Sequence, residues 1–193
     1  MADLISLDEY KELEGISNTK DDTRLESLIS SVSQLVKSYL GYSIVDYFVS
    51  AKIEEFSLEW AVDKIDLSEI PVNTVSTVEI RDNPGVAYTT LSSSEYYADK
   101  QISAVYRIGG NTTTTWPVGP GAVKITYTGG YQTLPLDLKL AVSDLITYYF
   151  RNEHKPRQTL SGATQENTER SSSRYLGFPD HIRRVLDLYR LAL

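Results

Sequence analysis

Hydrophobic and polar positions alternate between two periods along the chain. Near the start, Ser6-Leu7-Asp8-Glu9 has the form of a capping box, with Ser6 at the N-cap and Glu9 at the third helical position. It predicts a two-turn helix that runs to about Glu14 and stops at Gly15. A longer helix follows. Leu25, Leu28, Ile29, Val32, Leu35, Val36, Tyr39 and Leu40 recur at the i, i+3, i+4, i+7 spacing of one apolar face. Thr19 or a neighbour can cap it, Asp21 and Asp22 suit its positive end, and Gly41 ends it. From about Asp46 to Thr128 the period drops to two: Phe56, Leu58 and Trp60 alternate with Glu55, Ser57 and Glu59, and Val123, Ile125 and Tyr127 with Lys124, Thr126 and Thr128. Turn composition at Asp82-Asn83-Pro84-Gly85, Gly109-Gly110-Asn111 and Gly119-Pro120-Gly121 divides this stretch, which predicts four to six antiparallel strands. Beyond Gly129-Gly130 the helical period returns. Pro135 fits a first turn, and Leu138, Ala141, Val142, Leu145, Ile146 and Tyr149 share one face of a helix expected to end near His154, before Pro156.

Residues 157–178 are polar and rich in Ser and Thr, the composition of a segment expected to be mobile in the isolated chain. Pro179-Asp180 then opens a last helix with the stripe Ile182, Val185, Leu186, Tyr189 and Leu193, widened by Leu188 and Leu191, and with Arg183 and Arg184 on the other side. A helix tethered in this way either folds back on its own core or docks on a partner. The pattern as a whole predicts an α+β fold: a small helical bundle with an antiparallel β insertion between the second and third helices, plus a tethered C-terminal helix. The expected division is a body over residues 1–155, with its insertion at about 46–128, and a polar loop with a docking helix over 156–193.

Composition narrows the functional classes. The 193 residues suffice for one domain with a real core. No apolar run approaches the roughly 20 residues of a membrane span, and the acidic N-terminus is unlike a signal peptide. Cys is absent, which removes disulfides and thiolate chemistry and fits folding in a reducing cytosol. The net charge is −7. Residues 151–193 hold eight Lys or Arg and five Asp or Glu, a balance of +3, which leaves −10 on the first 150. A free-standing DNA binder has a basic excess, because neutralised phosphates supply most of its affinity. The basic and aromatic residues of the tail (Arg170, Arg174, Tyr175, Arg183, Arg184, Tyr189, Arg190) therefore read better as a polar face beside a protein-docking helix.

Catalytic signals are missing. His154 and His181 lack metal-ligand spacing, and no Gly-x-Ser-x-Gly is present. The Gly pairs sit in turns rather than opening a helix after a strand. Glu54 and Glu55 are adjacent, so on a strand they point to opposite faces. The expectation is no enzyme, no cofactor and no metal. Tyr is abundant, 14 residues against 4 Phe and 2 Trp, and its apolar body with a polar tip is favoured both at interfaces and on half-exposed strands.

The order of these motifs carries a resemblance. Ile5-Ser6-Leu7-Asp8-Glu9-Tyr10-Lys11 opens a short helix, and Asp21-Asp22 precedes a helix that ends Tyr39-Leu40-Gly41. Ile70-Pro71-Val72-Asn73-Thr74-Val75-Ser76-Thr77-Val78 lies in the insertion, and Trp116-Pro117 follows. Most specific is Val123-Lys124-Ile125-Thr126-Tyr127-Thr128-Gly129-Gly130-Tyr131 with Leu134-Pro135-Leu136-Asp137-Leu138. Over residues 4–150 the chain resembles the head–tail connector (adaptor, or head-completion) proteins of tailed bacteriophages. The resemblance implies a structural role in the virion neck, made in the bacterial host cytoplasm. It implies a ring of identical subunits, usually a dodecamer, under the portal protein, and a downstream neck or tail protein beyond it. DNA would pass through without sequence-specific binding, and no membrane is involved.

On this reading the last helix faces the portal, with Ile182, Val185, Leu186, Tyr189 and Leu193 as apolar anchors and Arg183, Arg184 and Arg190 as charge partners. Tyr96, Tyr97, Tyr106 and Trp116 are candidates for contact with the neighbouring subunit or the next neck protein; for Trp116, packing beside Pro117 in the local core is an equal alternative. Removing residues 157–193 is then expected to leave a folded body that no longer joins the portal. The rivals are a monomeric carbohydrate- or peptide-binding module with a Tyr-rich β surface, a β-barrel head-closure or tail-terminator protein, and a nucleic-acid-processing enzyme. The regular helices count against the first two, and the missing metal-ligand clusters against the third.

Overall fold

A computed structural model describes residues 2–151, 157–158, 164–165 and 178–191. The elements in chain order are α1 (Leu7–Glu14), α2 (Asp22–Leu40), β1 (Lys52–Leu58), β2 (Lys64–Asp66), β3 (Val72–Ile80), β4 (Thr89–Thr90), β5 (Tyr96–Asp99), β6 (Ala104–Gly109), β7 (Thr112–Thr114), β8 (Gly119–Gly129), α3 (Leu136–Phe150), β9 (Arg157–Gln158), β10 (Thr164–Gln165) and α4 (Asp180–Tyr189). The fold is mixed α+β, as the periods predict. The chain divides into two compact units, one of residues 1–41 with 134–193, the other of residues 42–133.

The first unit is helical. Ser6 Oγ accepts the Glu9 N–H while the Glu9 carboxylate accepts the Ser6 N–H, so the expected capping box is formed. Gly15 closes α1 in the left-handed region, where only a residue without Cβ sits unstrained. In α2, Leu25, Ile29, Val32, Val36 and Leu40 are buried, while Leu28, Leu35 and Tyr39 flank the stripe half-buried. The N-cap is Asp21, whose side chain makes no capping bond. The Thr19 carbonyl instead accepts the Asp22 N–H at 3.3 Å. Leu138, Ala141, Val142, Leu145 and Ile146 give α3 its buried face, and Pro135 is its N-cap rather than a first-turn residue. The helix ends at Phe150, and the expected end at His154 lies outside the described residues. β9 and β10 form a two-residue antiparallel pair within the segment expected to be polar and mobile; most of that segment also lies outside the described residues.

The second unit is all β. One sheet runs β1-β8-β3-β4; the other runs β2-β6-β5, with β7 beside β6. Their inner faces share a core of Ile65, Val105, Trp116, Val78, Val123, Ile125 and Tyr127. Eight strands therefore stand where four to six were expected, because β2, β4 and β7 are two or three residues long and cannot display an alternation. Gly119-Pro120-Gly121, read as a turn, forms the start of β8, where the register with β1 shifts between Phe56 and Leu58. Trp60, read as the third inward residue of β1, lies past the end of that strand and is 68% exposed.

Candidate interaction surfaces

Alternation along β1 places Lys52 and Glu54 on the same face as Phe56 and Leu58, and leaves Ile53, Glu55 and Ser57 exposed. Charges on the inward face need partners, and the loops supply them. Lys52 Nζ lies 2.9 Å from Glu54 Oε1 and 3.1 Å from Glu69 Oε1. Glu69, 2% exposed, also accepts the N–H and hydroxyl of Ser43. Tyr127 links the Glu54 carboxylate to the Glu69 backbone: its hydroxyl donates to Glu54 Oε2 at 2.9 Å and accepts the Glu69 N–H at 3.0 Å. Ser68 donates its hydroxyl to Glu54 as well. Burial pushes the Glu54 carboxyl up, but the bonds from Ser68, Lys52 and Tyr127 and the Lys52 charge outweigh it and hold the group below the usual carboxylate range. Burial pulls Lys52 down and its two carboxylates more than restore it, so the ammonium is held above its usual value. Burial pushes the Tyr127 phenol strongly up, which keeps its proton in the network. Every member is satisfied, so the cluster acts as a structural pin between the start of the unit and its central strand.

The last helix turns one face inward. Ile182 and Leu186 are buried within the helical unit, Val185 and Tyr189 are half-buried, and α4 packs against α3 and α2. Phe178, just before it, is buried edge-to-face on Tyr39 at 5.2 Å. Tyr39 donates to Asp187, and Tyr189 donates to Asp137 at 2.7 Å. Leu191 N donates to the Leu40 carbonyl at 3.2 Å. The apolar stripe is thus used inside the unit, and Ile182 and Leu186 are not on offer to a partner in this conformation. Arg184 and Leu188 are exposed. Arg183 reaches Asp187 at 3.9 Å, and the Arg190 guanidinium lies 5.2 Å over the Tyr39 ring. Leu193 lies outside the described residues.

The four aromatic candidates of the β unit separate into two pairs. Trp116 is 1% exposed and donates its indole N–H to the Asp63 carbonyl at 3.0 Å, so it is a core residue. Tyr96 packs against the same core. Tyr97 and Tyr106 are directly opposite each other on β5 and β6, on the outward face, with Lys64 next in the row. Sequence reasoning missed other exposed apolar side chains, among them Val49, Ile53, Trp60, Val86 and Val118 in the β unit, and Leu136 and Leu140, one turn apart on α3. Leu136 and Leu140 sit at the spacing of an apolar stripe, but outside the one that α3 buries. Among the described residues no group of three or more His, Asp or Glu is placed to hold a metal ion, and no helix is long and apolar enough to cross a membrane.

Residues 3–192 match the head completion protein family. The chain belongs to that family. The match agrees with the resemblance carried by the Val123–Leu138 motif, and it extends through the C-terminal helix that the resemblance left out. Among relatives of this head completion protein, that of Escherichia phage T5 is 23% identical over 193 residues, covering 97% of this chain and 98% of the T5 protein. Two solved structures share the fold. A chain in the neck of an empty gene transfer agent particle, computed with C6 symmetry, aligns with a TM-score of 0.62 at 15% identity over 98% of this chain and 91% of its own. A chain in the neck of the native particle, computed with C12 symmetry, aligns with a TM-score of 0.60 at 14% identity over 100% and 95%.

Proposed function

We propose that this head completion protein is a structural connector in the neck of a tailed-phage virion. Copies of it form a ring under the portal, extend the DNA channel and offer a platform to the next neck or tail protein. The observation that carries this reading is the family match along residues 3–192. The chains that share its fold come from necks computed with six-fold and twelve-fold symmetry, which favours a ring and fits a dodecamer. The acidic body supports the same reading, since like charge lets DNA slide past a wall without sticking to it.

Portal contact falls to the outer side of α4. Arg184 and Leu188 are free to reach a partner. Arg183 and Arg190 are held only by a surface ion pair and a ring contact, which cost little to exchange for acidic portal side chains. The β unit, through Tyr97 and Tyr106, faces the neighbouring subunit. The test is solution mass followed by electron microscopy of the protein alone and mixed with the portal of the same phage. Rings, or a monomer that closes into a ring only on the portal, are the expected result. A monomer indifferent to the portal overturns the reading and leaves the carbohydrate- or peptide-binding module to be tested by a ligand screen.

A further inference from the structure

Unit 42–133 has two unlike ends. At one end the chain comes in and goes out: Tyr131 N donates to the Ile44 carbonyl at 2.7 Å and Gly129 N to the Tyr47 carbonyl at 3.0 Å. At the other end three loops meet. The β1–β2 loop runs beside the segment before β8, with Leu58 opposite Gly119 and Trp116 N donating to the Val62 carbonyl at 2.7 Å. The β3–β4 loop is tied to the same segment. Arg81 Nε and the Tyr88 hydroxyl both donate to the Gly121 carbonyl at 2.8 Å, and Gly121 N donates to Ser57 Oγ at 2.9 Å.

Each of these loops exposes one large apolar side chain: Trp60 at 68%, Val86 at 49% and Val118 at 47%. Exposed carboxylates lie among them, at Glu59, Asp63 and Asp82, and none of the three has an ion-pair partner among the described residues. The cation of the β3–β4 loop, Arg81, donates to the Gly121 carbonyl and lies 4.5 Å over the Tyr88 ring. Pro84, Pro117 and the cross-loop bonds restrict the loop backbones, so less entropy is lost on contact.

We propose that this loop cluster is a docking surface for another protein of the virion neck, one that presents an apolar side chain flanked by Lys or Arg. The assignment rests on the neck reading above and adds the surface and the chemistry of its partner. Trp60 is the largest of these exposed side chains, and Trp is a residue type that dominates binding energy at interfaces. The surrounding carboxylates select a basic partner and turn DNA away.

The experiment uses the full chain and the purified neck and tail proteins of the same particle, offered one at a time. Binding is measured at low and high salt for the wild type, for Trp60→Ser and for the double variant Glu59→Lys with Asp82→Lys. Ring formation on the portal is scored in the same samples. One neck protein is expected to bind. Trp60→Ser weakens that binding by about tenfold or more. The charge reversal weakens it by on the order of tenfold at low salt and less at high salt. All variants still form rings. The proposal is overturned if no neck or tail protein binds the wild type, if both variants bind as the wild type does, or if the variants lose ring formation instead, which would make the cluster a contact between copies. Failure of the neck reading shows separately, as a wild type that never closes on the portal.

Discussion

A buried carboxylate is tolerated only when donors surround it, and Glu69 has three from Ser43 and Lys52. Glu69→Ala strands those donors and is expected to cost on the order of 3 kcal/mol, read as a lower urea midpoint at unchanged slope. Tyr127→Phe removes one hydroxyl from between two partners and should cost about 1.5–3 kcal/mol by the same assay. The network also sets a sign for acid sensitivity. Glu54 is held below its ordinary value of 4.5, so its contribution is fully present above that pH and is lost as pH falls through the lower folded value. Replacing Glu54 with Gln should therefore flatten the acid limb of a stability–pH curve. Little of this was legible in the sequence. Glu54 and Glu55 could be placed on opposite faces of a strand with Lys52 on the face of Glu54, but its other partners, Ser68 and Tyr127, are 14 and 73 residues away, and no local pattern announces them.

Elements were legible in proportion to their length. The stripe on α2 repeats over four turns, so its buried apolar residues Leu25, Ile29, Val32, Val36 and Leu40 were all among those read from the spacing, whereas strands of two or three residues carry no period at all. Trp60 shows the limit within a long strand. Its alternation with Phe56 and Leu58 continues in the sequence, but β1 ends at Leu58, just past a register shift, and Trp60 lies beyond it in solvent. For α4 the apolar face could be read from the spacing, but not what would cover it. The structure covers it from within the chain, and that divides the helix into faces with different mutational costs. Leu186→Ala empties a fully buried site and should lower stability by about 2–5 kcal/mol. Leu188→Ala and Arg184→Ala on the outer side should leave the unfolding midpoint within about 0.5 kcal/mol of wild type and weaken portal association instead. Measured together, stability and portal binding separate the two faces.

The last 43 residues carry +3 and the rest −10, and that asymmetry was visible before any fold. What composition hid is that the C-terminal helix serves its own unit. A chain ending before Phe178 loses the burial of Phe178, Ile182 and Leu186, on the order of 5 kcal/mol, and should melt well below wild type rather than leave the intact body expected of a simple appendage. The two connections of the β unit have a mechanical consequence. Residues 44 and 131 are bonded side by side, so a tensile load that reaches the unit through them displaces both segments together and puts little stress on the bond between them. The strain passes inward instead, to the Glu69 clasp on Ser43 and along β8, which is sheared against β1 and β3 over most of its length. That geometry makes a firm anchorage for the β unit at the end where the chain enters and leaves it.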